Sequence, residues 1–173
     1  MNSNSRLVRL LVNVGPFIGA ILRHIPFART PMHAIDLSHR IDELEGTGRF
    51  EEARHLRSAG LKELPASCRA PLWRSEGEDL LRSGDASQAL AAFERALESA
   101  EQSAFLHGVA APDRIYYGAA VAALEIGARD RATTYTGKFE ELVKAFRNDP
   151  SLAQHIGAHE ERLAWLRQKL RAA

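Results

Sequence analysis

The sequence predicts an all-α protein built from paired helices. Ala, Leu, Glu and Arg dominate its 173 residues, and runs of alternating β-branched residues, which strands favour, are missing. The stretch from Trp73 to Leu97 places large apolar residues at helical spacing, breaks at Gly84-Asp85, and then alternates small and large residues. Two antiparallel helices in close contact need small residues where their backbones approach and large ones where a gap must be filled. Stacked helix pairs form binding surfaces more often than active sites.

Composition limits the classes of function. The chain holds 23 Lys and Arg against 22 Asp and Glu, for a net charge of +1. That balance argues against a dedicated nucleic-acid binder, because such proteins usually carry a basic excess. A hydrophobic content of 45% allows a sizeable core, and the length favours one domain. The single Cys68 excludes an intramolecular disulfide and a multi-cysteine zinc site, and it fits a reducing, cytoplasmic location.

Helix-start and helix-stop residues divide the chain in order. Residues 1–29 form an N-terminal segment that is largely apolar, and residues 30–173 form the predicted helical domain. Thr30-Pro31 begins the first helix of this domain, because Thr caps a helix well and Pro suits its first position. Gly46-Thr47-Gly48 ends that helix after about Glu45. A second helix runs from Phe50 to about Leu64, where Pro65 stops it.

Further breaks define five more helices. Two of them pair across the turn at Ser83-Gly84-Asp85. Pro112-Asp113 begins the next helix, Gly127 closes it, and Asp149-Pro150 is a start signal for the last one. The five predicted ranges are about Pro71–Arg82, Ser87 to beyond Glu101, Asp113–Ile126, Arg131–Phe146 and Ser151–Leu170.

The three turn glycines mark an internal repeat. Gly48, Gly84 and Gly127 are spaced by 36 and 43 residues. Each has an apolar residue four positions before it, an alanine five positions after it and a bulky apolar residue eleven positions before it. The residues four positions before are Leu44, Leu80 and Ala123, and the alanines five positions after are Ala53, Ala89 and Ala132. The bulky residues eleven positions before are Leu37, Trp73 and Tyr116. A period in the thirties is typical of a helical-hairpin solenoid, and the longer second spacing predicts an extension around Phe105–Ala111.

Residues 70–103 resemble a tetratricopeptide repeat (TPR). Trp73, Gly77, Leu80, Gly84, Ala89, Phe93 and Ala96 fall on the family's pattern in order, while Glu101 stands where a closing proline is usual. Residues 34–67 and 113–146 resemble weaker copies. In the first copy, Ile41 stands where the pattern has a small residue and Arg57 stands where it has an aromatic one, which predicts a looser first hairpin. In the third copy, Thr136 replaces the aromatic residue. The resemblance implies a TPR-like solenoid of about three repeats, with Ser151–Leu170 as a C-terminal capping helix and an extra apolar helix before residue 30.

The resemblance also implies a binding face. In this family the first helix of each repeat lines a concave face that binds extended or helical peptides. The corresponding outward positions, our candidate partner-binding residues, are Ser38, His39, Asp42, Arg74, Glu78, Arg82, Tyr117, Val121 and Glu125. Family members that bind chaperone tails clamp a terminal carboxylate with Asn and Lys. Asp42, Glu78 and Val121 occupy the asparagine position here, so that clamp is missing.

The N-terminal apolar segment, residues 6–28, leaves four interpretations open. Its uncharged run Leu10–Leu22 is 13 residues long, below the roughly 17–25 that span a bilayer, and Pro16 interrupts it. The segment is a signal peptide, an interfacial membrane helix, a self-association helix, or a helix that docks on the solenoid's end. The candidate membrane-binding or self-association residues are Leu11, Val14, Gly15, Phe17, Ile18, Gly19, Ile21, Leu22 and Ile25.

The sequence contains no phosphate loop, dinucleotide fingerprint or nucleophile elbow. His155 and His159 share a helix face at a spacing that can bind a metal, but no third ligand is evident nearby. We therefore expect two solvated surface histidines there, and a protein that is not an enzyme, with no catalytic residues, metal or other cofactor.

The leading hypothesis is a protein-binding adaptor or scaffold. Its array holds a peptide or helix of a protein partner, and residues 6–28 dock on the array, form a homo-oligomer or anchor the protein at the periphery of a membrane. One alternative is a membrane-assembling component in which residues 6–28 act on a membrane surface. Another is a dedicated chaperone or immunity-type protein that masks one partner. Nucleic acid is not an expected partner.

Overall fold

The computed structural model describes residues 29–102, 111–149 and 156–172. Within these ranges the regular structure consists of seven α-helices and one short 3-10 turn, Ala66–Cys68, so the all-α prediction is confirmed. The helices are α1 (Arg29–Gly46), α2 (Phe50–Glu63), α3 (Ala70–Arg82), α4 (Ala86–Glu101), α5 (Pro112–Glu125), α6 (Arg129–Arg147) and α7 (Ile156–Ala172).

The observed helix ends lie close to those predicted from the caps and breaks. The largest difference in α1–α6 is at α6, which begins at Arg129 rather than at Arg131. The predicted start of the last helix lies outside the described residues, as do most of the extension predicted around residues 105–111 and all the candidates in the N-terminal apolar segment. None of the described helices is both long and apolar enough to cross a membrane.

The three hairpin turns share one backbone geometry. Gly48, Gly84 and Gly127 all have positive φ angles, of 77°, 85° and 74°. In each turn, the backbone N–H of the residue that follows the glycine donates to the carbonyl of the apolar residue four positions before the glycine. The three bonds are Arg49 to Leu44 at 2.8 Å, Asp85 to Leu80 at 2.9 Å and Ala128 to Ala123 at 2.8 Å. This pairing satisfies carbonyls that a helix end leaves free, so the register inferred from the glycines is present in the backbone.

A pair of glycine-to-alanine substitutions tests this geometry. Gly84→Ala should lower the free energy of unfolding by about 1–2 kcal/mol, because an L side chain at φ 85° is strained even in open space. Gly137→Ala, in the exposed interior of α6, should instead raise it by about 1 kcal/mol, because alanine favours the helix. Urea unfolding followed by circular dichroism measures both effects. Changes of the same sign would contradict the assignment of Gly84 to a left-handed turn.

The helices form two layers. The front layer is α1, α3, α5 and α7, each in contact with the next; the back layer is α2, α4 and α6, each packed on the front helices next to it in the chain. Within the described residues, the back-layer helices do not pack closely on one another. α7 packs on α5 and α6, in the place that the first helix of another hairpin would take.

Phe93 fills the space between the second and third hairpins. It extends from α4, is 0% exposed, and lies among buried alanines such as Ala89 and Ala119. A Cβ atom added at Gly77 of α3 would lie 2.8 Å from its ring, and one added at Gly118 of α5 would overlap it as well. The ring therefore fits only because both facing positions are glycine.

The first hairpin replaces the expected aromatic with an ion-paired arginine. Arg57 of α2 is 2% exposed and pairs with Glu45, Glu76 and Asp79 at 3.0, 2.5 and 2.8 Å. Its Nη1 also donates to the Ser75 hydroxyl at 3.0 Å. We call these five residues the Arg57 cluster. In keeping with the predicted looser hairpin, α1 and α2 pack less extensively on each other than the helices of the other two hairpins do.

Candidate functional site

The nine candidate partner-binding residues do not all reach the surface. Ser38 and Arg74, expected to face outward, are buried, because Arg74 turns toward α1 and its Nη2 donates to the Ser38 hydroxyl at 3.1 Å. That outward assignment was wrong for these two residues. The others are accessible: Asp42, Glu78, Tyr117 and Val121 are half-buried, and His39, Arg82 and Glu125 are exposed.

Four charged residues link the front-layer helices. Arg74 pairs with Asp42 at 3.2 Å and with Glu78 at 3.5 Å. Arg114, at the start of α5, forms two hydrogen bonds to Glu78, from Nη2 to Oε2 at 2.6 Å and from Nε to Oε1 at 2.9 Å. It also lies 3.7 Å from Asp42. We call Asp42, Arg74, Glu78 and Arg114 the front ladder; it connects α1, α3 and α5.

A pocket of about 280 Å³ lies next to the front ladder, and we call it the α5 pocket. Its polar lining is Glu78, Arg114 and Arg162; its apolar lining is Leu81, Phe93, Tyr117, Gly118 and Val121. Three of the nine candidates therefore meet here, namely Glu78, Tyr117 and Val121. His39, Arg82 and Glu125 lie outside this lining, and Arg82 instead pairs with Asp79 at 2.8 Å.

α7 completes the pocket through contacts around Tyr117. The Tyr117 ring lies 5.7 Å from that of Phe139 on α6 and 6.4 Å from that of Trp165 on α7. The guanidinium carbon of Arg162 lies 5.2 Å from the centre of the same ring, in cation–π contact. α7, predicted only as a cap, thus contributes Arg162 to the site.

Three carboxylates of the front layer lie close together, and each of them pairs with an arginine. One oxygen each of Asp42, Glu45 and Glu78 approach one another within 4.8 Å, a spacing that can hold a metal ion. However, Glu45 pairs with Arg57 at 3.0 Å, and the front ladder pairs the other two with arginines. A metal ion would have to displace these guanidinium groups, so the arrangement favours a polar binding surface over a metal centre.

His159 is less accessible than expected for a solvated histidine. Its side chain is 13% exposed, with Nε2 3.9 Å from a carboxylate oxygen of Asp113. The imidazole lies 6.0 Å from the ring of Phe139 and 5.4 Å from that of Phe146. The expectation of a surface histidine was therefore wrong for His159, which packs α7 onto α5 and α6. His155 lies outside the described residues.

Arg114 and Arg162 line the site but are not among the nine candidate residues. Arg114 lies three residues before Tyr117, so the two share a face of α5, and this spacing is visible in the sequence. Arg162 enters the site through the packing of α7, which no local signal reveals.

Comparison with protein-family models, with curated proteins and with solved structures finds no match to this chain. The resemblance to tetratricopeptide repeats therefore rests on the repeat residues themselves and stays a prediction.

Proposed function

We propose that this protein is a non-enzymatic adaptor whose TPR-like array binds a protein partner along its front layer. One observation carries the proposal: front-layer helices from successive hairpins bring accessible polar side chains together at a pocket with a mixed polar and apolar lining. Interfaces bind tightly where such a pocket accepts an anchoring side chain and a polar rim surrounds it. The array is the scaffold, and residues 6–28 dock on it, join copies of it or anchor it to a membrane surface.

The repeated turns support the TPR-like part of this proposal. Three hairpins with the same turn geometry, joined through front-layer contacts, are what a solenoid requires. The pattern residues Gly77 and Phe93 contact each other in the second hairpin, where the resemblance is strongest.

Site-specific photo-crosslinking in cells tests the proposed binding face. A photoreactive phenylalanine would be introduced at His39 or Val121 of the front layer and, as matched controls, at the exposed Ala91 or Thr133 of the back layer. We expect the same protein to be crosslinked from both front positions and from neither back position, because the front layer carries the front ladder and most of the lining of the α5 pocket.

Two outcomes would contradict the proposal. Crosslinks from the back positions alone would move the binding face to α4 and α6. If no protein is crosslinked from any position, the adaptor function fails, and the alternative in which residues 6–28 act on a membrane is favoured instead.

A further inference from the structure

We infer that the α5 pocket recognises an acidic, apolar segment of a partner protein. An aromatic or branched apolar side chain enters the pocket, and an Asp or Glu close to it in the partner's sequence pairs with Arg162. This inference rests on the proposed function, because it names the chemistry of the partner that the front layer would bind.

The size of the pocket favours one side chain as its occupant. Its volume of about 280 Å³ falls just below the roughly 300–1,000 Å³ typical of sites for small molecules and cofactors. Tyr117, Val121 and Leu81 supply apolar surface, which an aromatic or branched aliphatic group would cover. Such an anchor in a desolvated pocket is the usual centre of a binding hot spot.

The charges beside the pocket favour an acidic neighbour for that side chain. The front ladder and Arg162 together hold three guanidinium groups but only the two carboxylates of Asp42 and Glu78. Among the described residues, Arg162 forms no ion pair with a carboxylate. Its cation–π contact with Tyr117 holds it beside the pocket without using its N–H groups as hydrogen-bond donors. Those groups suit the bidentate pairing that arginine forms with carboxylates.

Arg74 adds to this surplus of donors. It is 3% exposed, and its Nε and Nη1 atoms have no hydrogen-bond partner in the described part of the chain. Glu78 therefore pairs with both Arg74 and Arg114, and not all N–H donors of Arg74 form hydrogen bonds. A partner's carboxylate at Arg162 would supply an acceptor to this donor-rich face, whereas a basic ligand would add further donors.

The chain's own N-terminal apolar segment does not fit this chemistry. Residues 6–28 contain Arg6, Arg9 and Arg23 and neither Asp nor Glu. Their positive charge would lie against Arg162 and Arg114, which like-charge repulsion disfavours. The charges therefore favour a separate, acidic partner as the occupant of the pocket.

Selection from a random peptide library tests the inference. The probe is a phage library that displays segments of about twelve residues between fixed linkers, so that no free terminus takes part, and the bait is the full-length protein. Selection is repeated on Arg162→Glu and on the matched control Arg171→Glu, which makes the same charge change at another exposed position of α7. Arg162→Gln separates loss of the cation from introduction of an anion.

We expect the unmodified protein and Arg171→Glu to enrich segments that combine an aromatic or branched apolar residue with Asp or Glu nearby. Arg162→Glu should lose these segments or select Lys and Arg in place of the acids. The best segment should bind at least about tenfold more weakly to Arg162→Glu by fluorescence anisotropy, and less than about twofold more weakly to Arg171→Glu. A reversed charge preference reports on the site itself, because an unfolded variant would enrich nothing specific.

The failures of the two proposals are distinguishable. If the unmodified protein enriches segments without an acidic preference, or Arg162→Glu and Arg162→Gln enrich the same acidic segments, the inference is overturned while peptide binding by the array stands. If none of the baits enriches any segment, both the inference and the adaptor proposal fail.

Discussion

Replacing Phe93 with alanine should lower the free energy of unfolding by about 3–5 kcal/mol, the range seen when a fully buried phenylalanine is truncated. The ring is 0% exposed and fills the gap between α3 and α5, so its removal leaves a cavity bounded by the backbone at Gly77 and Gly118. Glycine backbones have no side chains to move into that cavity, and little relaxation is expected. Urea unfolding followed by circular dichroism measures the loss.

A double-mutant cycle isolates the contact between Phe93 and α5. Gly118→Ala alone should cost about 1–3 kcal/mol, because its methyl group would overlap the Phe93 ring. In a Phe93→Leu background the same substitution should cost clearly less, since the smaller side chain leaves room for the methyl group. Costs for Gly118→Ala that are equal in the two backgrounds would show that the ring does not lie against α5.

Arg57→Ala is expected to have an effect of similar size, about 3–5 kcal/mol, for an electrostatic reason. The guanidinium group is 2% exposed and pairs with three carboxylates, of which Asp79 and Glu45 are themselves mostly buried. Its removal leaves their negative charges close together with fewer cations to balance them. The same urea unfolding experiment measures the loss.

Arg54→Ala provides the matched control for the Arg57 cluster. Arg54 also pairs with Asp79, at 2.7 Å, but its side chain is 45% exposed. Water solvates its charge in the folded and unfolded states alike, so its removal should destabilise the protein much less than Arg57→Ala. Equal effects of the two substitutions would contradict the burial assigned to Arg57.

The pH dependence of the free energy of unfolding provides a second test of the Arg57 cluster. Burial by itself would raise the pKa of Asp79, but the hydrogen bond from Arg54 and the charge of Arg57 outweigh it and hold this pKa below its ordinary value of 3.8. A carboxyl group with a lowered folded-state pKa adds stability above its unfolded-state pKa, and loses it as the pH falls through the folded-state value. The stability difference between the native protein and Arg57→Ala should therefore shrink below about pH 4.

The helices and turns could be predicted because their signals are local. Gly48, Gly84 and Gly127 mark positions that need positive φ, and Pro71 and Pro112 lie at the starts of α3 and α5. The position of a charged side chain, in contrast, depends on residues that are distant in the sequence. Arg74 occupies an outward position of the repeat pattern, yet it turns inward because Ser38 and Asp42 on α1 offer acceptors.

The same reason explains why the partners of Arg57 and the roles of α7 could not be predicted. The family pattern has an aromatic residue at position 57. From the sequence alone, a charged residue there indicates poorer packing, because its carboxylate partners on α1 and α3 are visible only in the structure. In the sequence, Arg162 and His159 likewise have the pattern of ordinary residues on a polar helix face. Their roles follow from where α7 lies against α5 and α6, which only the assembled structure reveals.

The Arg57 cluster and Phe93 make the two junctions of the stack chemically different. The junction of α2 with α3 is rich in ion pairs, which salt weakens where they are accessible and whose desolvation penalty falls on warming. The junction of α4 with α5 is an apolar contact of Phe93 with alanine and glycine, which has no charges for salt to screen. Added salt should therefore weaken the first junction, chiefly through its accessible Arg54 pair, and should not weaken the second.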